Sequence, residues 1–376
     1  MSIELSIVMP CLNEAETIES CIKKAFNFLT RNNISGEVVI GDNGSVDGSQ
    51  QIAIGLGAQV IDVKLKGYGS ATRGAIDNAN GKYIITADTD DSHDLENLIP
   101  FLDLLRSGYQ FVMGNRFKGD KLDNAMPFLH RYLGNPVLTF IGNLFFKTNV
   151  GDFHCGLRGF TKEAYNRMEL KTTGMEFASE IVVKASMLNL KTIEVPTTVF
   201  PSGRTRKAHL RTFPDGWRHL RFLLLYSPKW LFLIPGLICM VIGLVSTAYI
   251  MGSSKNHYFV WLPCTTSLFL ISFQFVLFFA LTKIYATNHS LIPRGKNYNK
   301  LFKYFTLEKG LLVGLLMFVV GITFMFLSFN FYQETSDILK ITIPSSIIIA
   351  MGIQLMLFSF FFSILGLGDT EHKIGS

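Results

Sequence analysis

The residues most suited to chemistry are Asp88-Thr89-Asp90-Asp91, which directly follow the apolar run Tyr83-Ile84-Ile85-Thr86-Ala87. Side chains alternate along a strand, so carboxylates two apart at its C-terminal end point to one face. Two hard oxygen ligands with open positions beside them suit Mg²⁺ or Mn²⁺ held partly by substrate phosphates. A solvated turn carries the same acidic pair, so the neighbouring segments must decide between the two readings.

Four other apolar runs lead into polar or glycine-rich turns. Ile3 to Met9 precedes Pro10-Cys11-Leu12-Asn13-Glu14, and Val38 to Gly41 precedes Asp42-Asn43-Gly44-Ser45-Val46-Asp47-Gly48. Val60 to Val63 precedes Lys66-Gly67-Tyr68-Gly69-Ser70, and Phe111 to Met113 precedes Gly114-Asn115-Arg116. Helical patterns fill the gaps. Ile18, Ile22, Phe26 and Leu29 recur at helix spacing, with Asn13 placed to cap that helix and Glu16 to complete a capping box. Strands alternating with helices predict an α/β fold on a doubly wound, mostly parallel sheet, with ligands beyond the carboxyl ends of its strands. Asn13, Glu14, Asp42, Asp88, Asp90 and Arg116 all fall at that rim, which favours a nucleotide site.

The ordered set P-x-x-N-E, D-N-G-S-x-D-G, K-G-x-G-x-A, D-x-D and G-N-R resembles the family 2 glycosyltransferases, which have the GT-A fold. Asp152 to Phe160 is similar to the D-x-x-S/C-G-F-R stretch of polyprenyl-phosphate hexose synthases of the dolichyl-phosphate mannose synthase type. The likeness covers roughly residues 1 to 215. It implies inverting transfer of a hexose from a UDP- or GDP-linked sugar to undecaprenyl or dolichyl phosphate.

The resemblance also implies roles. Pro10, Leu12, Asn13, Glu14, Asp42, Asn43, Gly67, Asp88 and Thr89 would hold the donor, and Arg204 and Arg206, in a Pro/Gly-flanked loop, would close over its diphosphate. Asn43 stands where the group commonly has a second Asp, and so offers donors as well as an acceptor. Asp88 and Asp90 would bind Mg²⁺ or Mn²⁺, a Lewis acid for the departing diphosphate. Ser92 replaces a frequent Gln, which leaves Asp91 as the substitute third ligand. Arg116, Arg131 and Asn135 would hold the acceptor phosphate, Asn135 replacing a Ser four residues after the Arg. Asp152 would position acceptor or sugar, and Glu176 would accept hydrogen bonds from hydroxyl groups. Glu180, one turn on, either joins it or only stabilises its helix. Gly67-Tyr68-Gly69 opens a helix whose free N–H groups suit a phosphate, or serves only to reverse the chain.

The chain has 376 residues, 48% of them hydrophobic, with 33 Phe and a net charge of +6. The apolar excess lies in the second half. Stretches at about 229–251, 259–282, 310–332 and 341–367 each reach the ~20 residues needed to span a bilayer. The expected division is a catalytic domain at 1–211, an interfacial amphipathic helix at 212–228 and a four-helix membrane domain at 229–376. Trp217, basic residues and a leucine-rich face mark the interfacial helix. Lys283, Arg294, Lys296, Lys300, Lys303 and Lys309 flank the second and third spans, whereas the other two loops are short and nearly uncharged. The positive-inside rule therefore puts both termini and the catalytic domain in the cytoplasm. Five scattered cysteines lack metal-ligand spacing and fit a reducing compartment. Membrane lipid and a second copy of the chain are candidate partners; nucleic acid is not.

Two alternatives remain open at this point. A polysaccharide-extending membrane transferase shares the fold but typically carries Q-x-x-R-W, whereas Trp217-Arg218 has the reverse order. A non-catalytic lipid-transport or assembly protein on the same scaffold would not need an intact Asp88, Asp90 and Arg116.

Overall fold

The computed structural model describes residues 3–119, 128–205, 211–253, 260–288, 292 and 306–367. Short β-branched and aliphatic runs form seven strands: β1 Leu5–Cys11, β2 Gly36–Asp42, β3 Gln59–Asp62, β4 Tyr83–Thr86, β5 Phe111–Asn115, β6 Arg158–Thr161 and β7 Thr192–Pro196. Their order in the sheet is β3-β2-β1-β4-β6-β5-β7. All neighbours are parallel except β6, which runs antiparallel to both β4 and β5. β1 is buried along its whole length, as a central strand covered on both faces must be.

Helices in the first unit are α1 Ile18–Arg31, α2 Ser49–Gly55, α3 Tyr68–Asn78, α4 Ile99–Arg106, α5 Asn135–Phe146, α6 Lys162–Met168, α7 Phe177–Met187 and α8 Thr212–Leu225. α1 buries Ile18, Ile22, Ala25 and Leu29 in one stripe, with Phe28 beside them. Burial of each such large side chain contributes roughly 1.5–3 kcal/mol, so Phe28→Ala is the kind of change that would loosen this layer. The expected capping box is not there. Thr17 precedes α1 without a side-chain cap, and Asn13 instead adopts φ 57° and accepts a bond from Val46 N at 2.8 Å. Glu16 accepts bonds from the backbone and hydroxyl of Thr205. Tertiary partners outcompete the local cap.

Register aligns the functional rim. Cys11 is level with Asp42, Asp42 with Asp62, and Thr86 with Arg158. Because β6 is antiparallel, the segment entering it reaches the same edge as the carboxyl ends of β1, β2, β4 and β5.

The chain divides into two compact units, at Leu223 and Leu224. The second contains α9 Ile234–Gly252, α10 Leu262–Asn288, α11 Leu307–Phe331 and α12 Thr335–Leu367. Four helices, Lys229–Gly252, Leu262–Asn288, Leu307–Phe331 and Thr335–Leu365, are long and apolar enough to cross a membrane. The last two begin earlier than the hydropathy reading placed them, because Glu308 and Asp337 sit in helical first turns. Close packing rests on small residues. A Cβ at Gly236 or Gly243 of α9 would strike Phe275 or Phe269 of α10, and one at Gly314 or Gly321 of α11 would strike Met356 or Ile349 of α12.

Candidate active site

β4 ends at Thr86 and delivers Asp88 to the rim, where two groups hold its carboxylate. The Tyr68 hydroxyl donates to Oδ1 at 3.0 Å, and His93 Nε2 lies 3.2 Å from Oδ2. Burial would raise this carboxyl, but His93, Tyr68 and the positive charge of Arg204 hold it below the usual carboxylate range. His93 is buried, and its Nδ1 has no partner among the described residues. Gly156 makes this contact possible, since a Cβ there would lie 2.3 Å from Asp88 Oδ2 and 3.0 Å from His93 Nε2. His93 was missed in the sequence reading; its only signal was its place five residues after Asp88.

Asp90 lies on the same turn. Its Oδ1 accepts bonds from the Ser92 hydroxyl and backbone N–H, and its Oδ2 accepts one from Arg204 Nη2 at 2.5 Å. Arg204 Nη1 reaches Glu14 Oε1 at 3.0 Å, so one guanidinium bridges two rim carboxylates. The segment carrying it is tied down, with Gly203 N bonded to Asp90 O and Phe200 N to Ser92 O. Asp91 does not join the pair. At φ 61° it turns toward α1, where Lys24 pairs with it at 2.7 Å and Ser20 donates at 3.0 Å. The expected third metal ligand is thus engaged by a lysine and a serine of α1. Asp88 and Asp90 still offer the hard oxygen donors that Mg²⁺ or Mn²⁺ requires, and Arg204 already satisfies a cation's place beside Asp90. Among the described residues, no three His, Cys, Asp or Glu side chains gather into a complete cage.

The ends of β1 and β2 lock together beside this pair. Asn13 N bonds to Ser45 Oγ at 2.8 Å, Glu14 N to Ser49 Oγ at 2.9 Å and Ala15 N to Asp47 Oδ2 at 2.9 Å. The D-N-G-S-x-D-G motif therefore shapes the Leu12–Glu14 loop through Ser45, Asp47 and Ser49. Asp42 accepts bonds from Gly44 N, Ser45 N and Gln50 Nε2 on Oδ2, while its buried Oδ1 has no partner among the described residues. Burial opposes ionisation of Asp42, but the Ser45, Gln50 and Gly44 bonds hold its carboxyl low. It is a charged acceptor with one oxygen to spare.

Other expected donor residues also make contacts within the fold. Asn43 donates to Val63 O and Leu65 O and accepts from Gly67 N, so its whole amide is spent inside the fold. An Asp could not make the two donor bonds, which accounts for the amide here. Thr89 donates to Pro10 O and receives Thr17 Oγ1 on its carbonyl, bracing β4 against β1. Gly67, at φ 127°, and Gly69 lie against the 172–174 backbone with no room for a side chain. Ser70 N bonds to Thr173 O, while the buried Ser70 Oγ has no partner among the described residues. Arg206 lies outside the described residues.

On the other side of Asp88, Arg116 and Asp152 form a buried bidentate pair, Nε–Oδ2 2.6 Å and Nη2–Oδ1 2.8 Å, with Arg116 N also on Oδ2 at 3.1 Å. Burial works against the Asp152 charge, and Arg116 keeps its carboxyl below the ordinary range. The guanidinium expected on an acceptor phosphate is thus largely engaged by Asp152. Arg158 pins the loop that follows Asp152, donating to Cys155 O and Phe153 O, and also reaches Ala178 O. His154 follows, its Nε2 3.3 Å from Ser179 Oγ, which is 2.8 Å from His219 Nδ1 on α8. Burial drives both imidazoles toward the neutral form, His219 to about 4.

Arg131 lies in a wide turn at His130–Gly134 that leads into α5, and Asn135 opens that helix. Both are half-buried, and Arg131 rests over the Tyr132 ring at 5.4 Å. Among the described residues no carboxylate pairs with Arg131. Phe128, Leu129, Tyr132, Leu133, Val137, Phe140 and Leu144 are all exposed on this segment. Glu176 precedes α7, with Oε1 accepting from Gly174 N and a buried Oε2 that has no partner among the described residues. Glu180 receives Lys171 N, Thr172 N and the Thr172 hydroxyl and pairs with Lys184 at 3.2 Å, so it holds the loop that meets Gly67 and Gly69.

Comparison with known proteins bears on this arrangement. Residues 6–168 match Glycosyl transferase family 2, and residues 280–366 match the Glycosyltransferase family 2 C-terminal transmembrane region. The low-salt glycan biosynthesis hexosyltransferase Agl6 of Haloferax volcanii is 35% identical over 96% of this chain and 89% of its own length. The chain belongs to glycosyltransferase family 2. This family 2 glycosyltransferase is also 31% identical to the dolichyl-phosphate hexose transferase of Haloferax volcanii, over 51% of this chain and 81% of the relative. A crystal structure of glucosyl-3-phosphoglycerate synthase from Mycobacterium tuberculosis, with Mn²⁺, UDP and glucosyl-3-phosphoglycerate, aligns with 60% of this transferase and 80% of that chain at 20% identity and TM-score 0.46. The transferase is an integral membrane enzyme: the transmembrane family region overlies the apolar helices Leu307–Phe331 and Thr335–Leu365 and the end of Leu262–Asn288.

Proposed function

We propose that the enzyme transfers one hexose, with inversion, from a UDP-glucose- or GDP-mannose-type donor to undecaprenyl or dolichyl phosphate at the cytoplasmic face of the membrane. The observation that carries this reading is Arg131. It is a cation with no carboxylate partner among the described residues, on a segment whose outward residues are large and apolar. A phosphate joined to a long hydrocarbon needs both. The name of the Haloferax dolichyl-phosphate hexose transferase supports the same acceptor class. The interfacial placement of α8 is part of the proposal, supported by the exposed Phe213, Trp217 and Leu225 beside its arginines.

In the reaction, a phosphate oxygen forms a bond to the anomeric carbon as the bond from that carbon to the donor diphosphate breaks. Attack from the opposite side inverts the centre. The acceptor arrives ionised, so no strong general base is required. Asp42 Oδ1 and Glu14 would receive hydrogen bonds from the nucleoside, and Glu176 Oε2 from sugar hydroxyls. Arg131 would fix the incoming phosphate, with Asn135 one turn on. Asp152 holds Arg116 in place through Nε and Nη2, so Nη1 would be the nitrogen to meet an anion. Asp88 and Asp90 would hold Mg²⁺ or Mn²⁺, which when bound supplies positive charge to the departing diphosphate. Arg204, if exchanged from Asp90 and Glu14 onto the donor, would add its charge to the same diphosphate.

Arg131→Ala tests the acceptor assignment. The change removes a charge-assisted contact to phosphate, so kcat/KM for polyprenyl phosphate should fall roughly 10²-fold, about 2.7 kcal/mol. Calorimetric binding of the donor without acceptor should be unchanged. Lost donor affinity with intact acceptor kinetics would move Arg131 to the nucleotide side and remove the main support for a lipid phosphate.

A further inference from the structure

Among the described residues of the membrane unit, none covers one face of α10. α9 covers one side, through Gly236 and Gly243 against Phe275 and Phe269 and a 3.0 Å bond between Thr247 and Thr265. α12 covers another, where Phe358 and Phe362 pack with Ile284, Leu277 and Leu281. The remaining face carries Cys264, Ser267, Ile271, Gln274, Phe278 and Tyr285, all exposed. Their spacing is 3, 4, 3, 4 and 7, the 3.5-residue period of a helix–helix seam.

Gln274 stands 12 residues from Leu262 and 14 from Asn288, at the centre of the span. No part of its amide bonds to any described residue. Other polar groups on the outside of the spans behave differently. Thr323 bonds to Val319 O, Asn330 to Phe326 O and Ser346 to Ile343 O, each within its own helix. The outward residues of α9 and α11 are otherwise large and apolar, as lipid requires. An amide at mid-depth has no water to bond and lies too far from either surface to reach one. It therefore needs a polar partner that also sits at mid-depth.

We propose that this face of α10 is the interface with a second copy of the chain. The argument is one of self-complementarity. Two copies inserted with the same orientation are related by a two-fold axis along the membrane normal, which places every residue at the depth of its counterpart. Gln274 then meets Gln274 of the other copy, and an amide, being donor and acceptor at once, satisfies an identical amide. The small Ser267 and Cys264 allow the helices to approach, as small residues do in membrane seams. A lipid tail could fill the groove but would leave the amide unpaired. The proposal rests on the four spans and does not depend on the acceptor or donor of the reaction.

Cys264 lies on the same stripe and serves as the reporter, because seam positions approach within disulfide range. Cys11, Cys21 and Cys155 are buried, and Cys239 belongs to α9. The full chain, reconstituted in phosphatidylcholine vesicles at low protein-to-lipid ratio, is treated with copper-phenanthroline. A disulfide-linked dimer should form, persist in Cys239→Ser and vanish in Cys264→Ser. Its yield should fall at least tenfold in Gln274→Leu and be largely retained in Gln274→Asn. Leu244→Cys in the Cys264→Ser background, exposed on α9, should not cross-link. Absence of the wild-type dimer, an undiminished dimer in Gln274→Leu, or equal cross-linking through Leu244→Cys would each overturn the proposal.

Discussion

Replacing Arg116 by Met exposes how much of the site depends on one buried pair. Asp152 is fully buried and takes four hydrogen bonds: two from the Arg116 guanidinium at 2.6 and 2.8 Å, and two from the backbone of Arg116 and His154 at 3.1 and 3.3 Å. Without the guanidinium, two long backbone bonds remain to hold a carboxylate in the interior. Breaking one partner of a buried ion pair costs about 3–5 kcal/mol, because the charge left behind is uncompensated. For a unit of this size that corresponds to a fall in Tm of roughly 10 °C. The wild-type carboxyl is held low, so its contribution is present above the unfolded pKa and lost as pH falls through the folded value. In Arg116→Met the carboxyl is no longer held low, and the deficit should shrink toward acidic pH as Asp152 takes a proton. The double variant Arg116→Met/Asp152→Leu should recover most of the loss, since neither charge remains buried alone. Unfolding can be followed with a thiol-reactive dye after blocking Cys264, because Cys11, Cys21 and Cys155 are all buried in this unit. A loss below about 1 kcal/mol, or a double variant as weak as the single, would refute this account of the pair.

Two further predictions concern the same unit and the orientation of the chain. His219 has a folded pKa of about 4 because it is buried, whereas the unfolded chain binds a proton near 6.5. The unfolded state therefore binds more protons between those values, and stability should decline as pH falls from 6.5 to 4; His219→Asn should flatten that slope, and an unchanged slope would count against it. In a background lacking Cys264, Ser336→Cys should react with an impermeant thiol reagent in intact cells and Asn297→Cys only after lysis. Labelling of Asn297→Cys from outside would reverse the proposed orientation.

Much of the fold was legible because its signal was local. β1 to β5 announce themselves as apolar runs ending in polar turns, and the parallel architecture follows from the alternation with helices. β6 and β7 were not read. β6 is four residues, Arg158 to Thr161, beginning on a buried arginine, and β7 carries Glu194 and ends on Pro196, so neither shows a clean strand period. Their pairing is set by strands far away in sequence. Site residues divide the same way. Asp88 and Asp90 were visible from strand alternation alone, whereas the diversion of Asp91 to Lys24 depends on a helix 67 residues earlier. Asn13 failed as a cap for the same reason, since Val46 N offers it a tertiary partner. At Asn43 the change from acid to amide was noticed in the sequence, but only the structure shows the two carbonyls that require its donors.

The central claim is the transfer of one hexose to a lipid phosphate, and the most direct measurement is the mass of the lipid product. Purified protein should be incubated with a panel of UDP- and GDP-sugars, undecaprenyl or dolichyl phosphate, and Mg²⁺ or Mn²⁺, and the organic phase analysed by mass spectrometry. The account predicts a polyprenyl phosphate carrying a single hexose, formed from one donor of the panel. It also predicts that excess chelator abolishes the product and that Asp90→Asn lowers its rate by several orders of magnitude. A growing glycan, sugar nucleotide left intact across the panel, or full activity in chelator would contradict it.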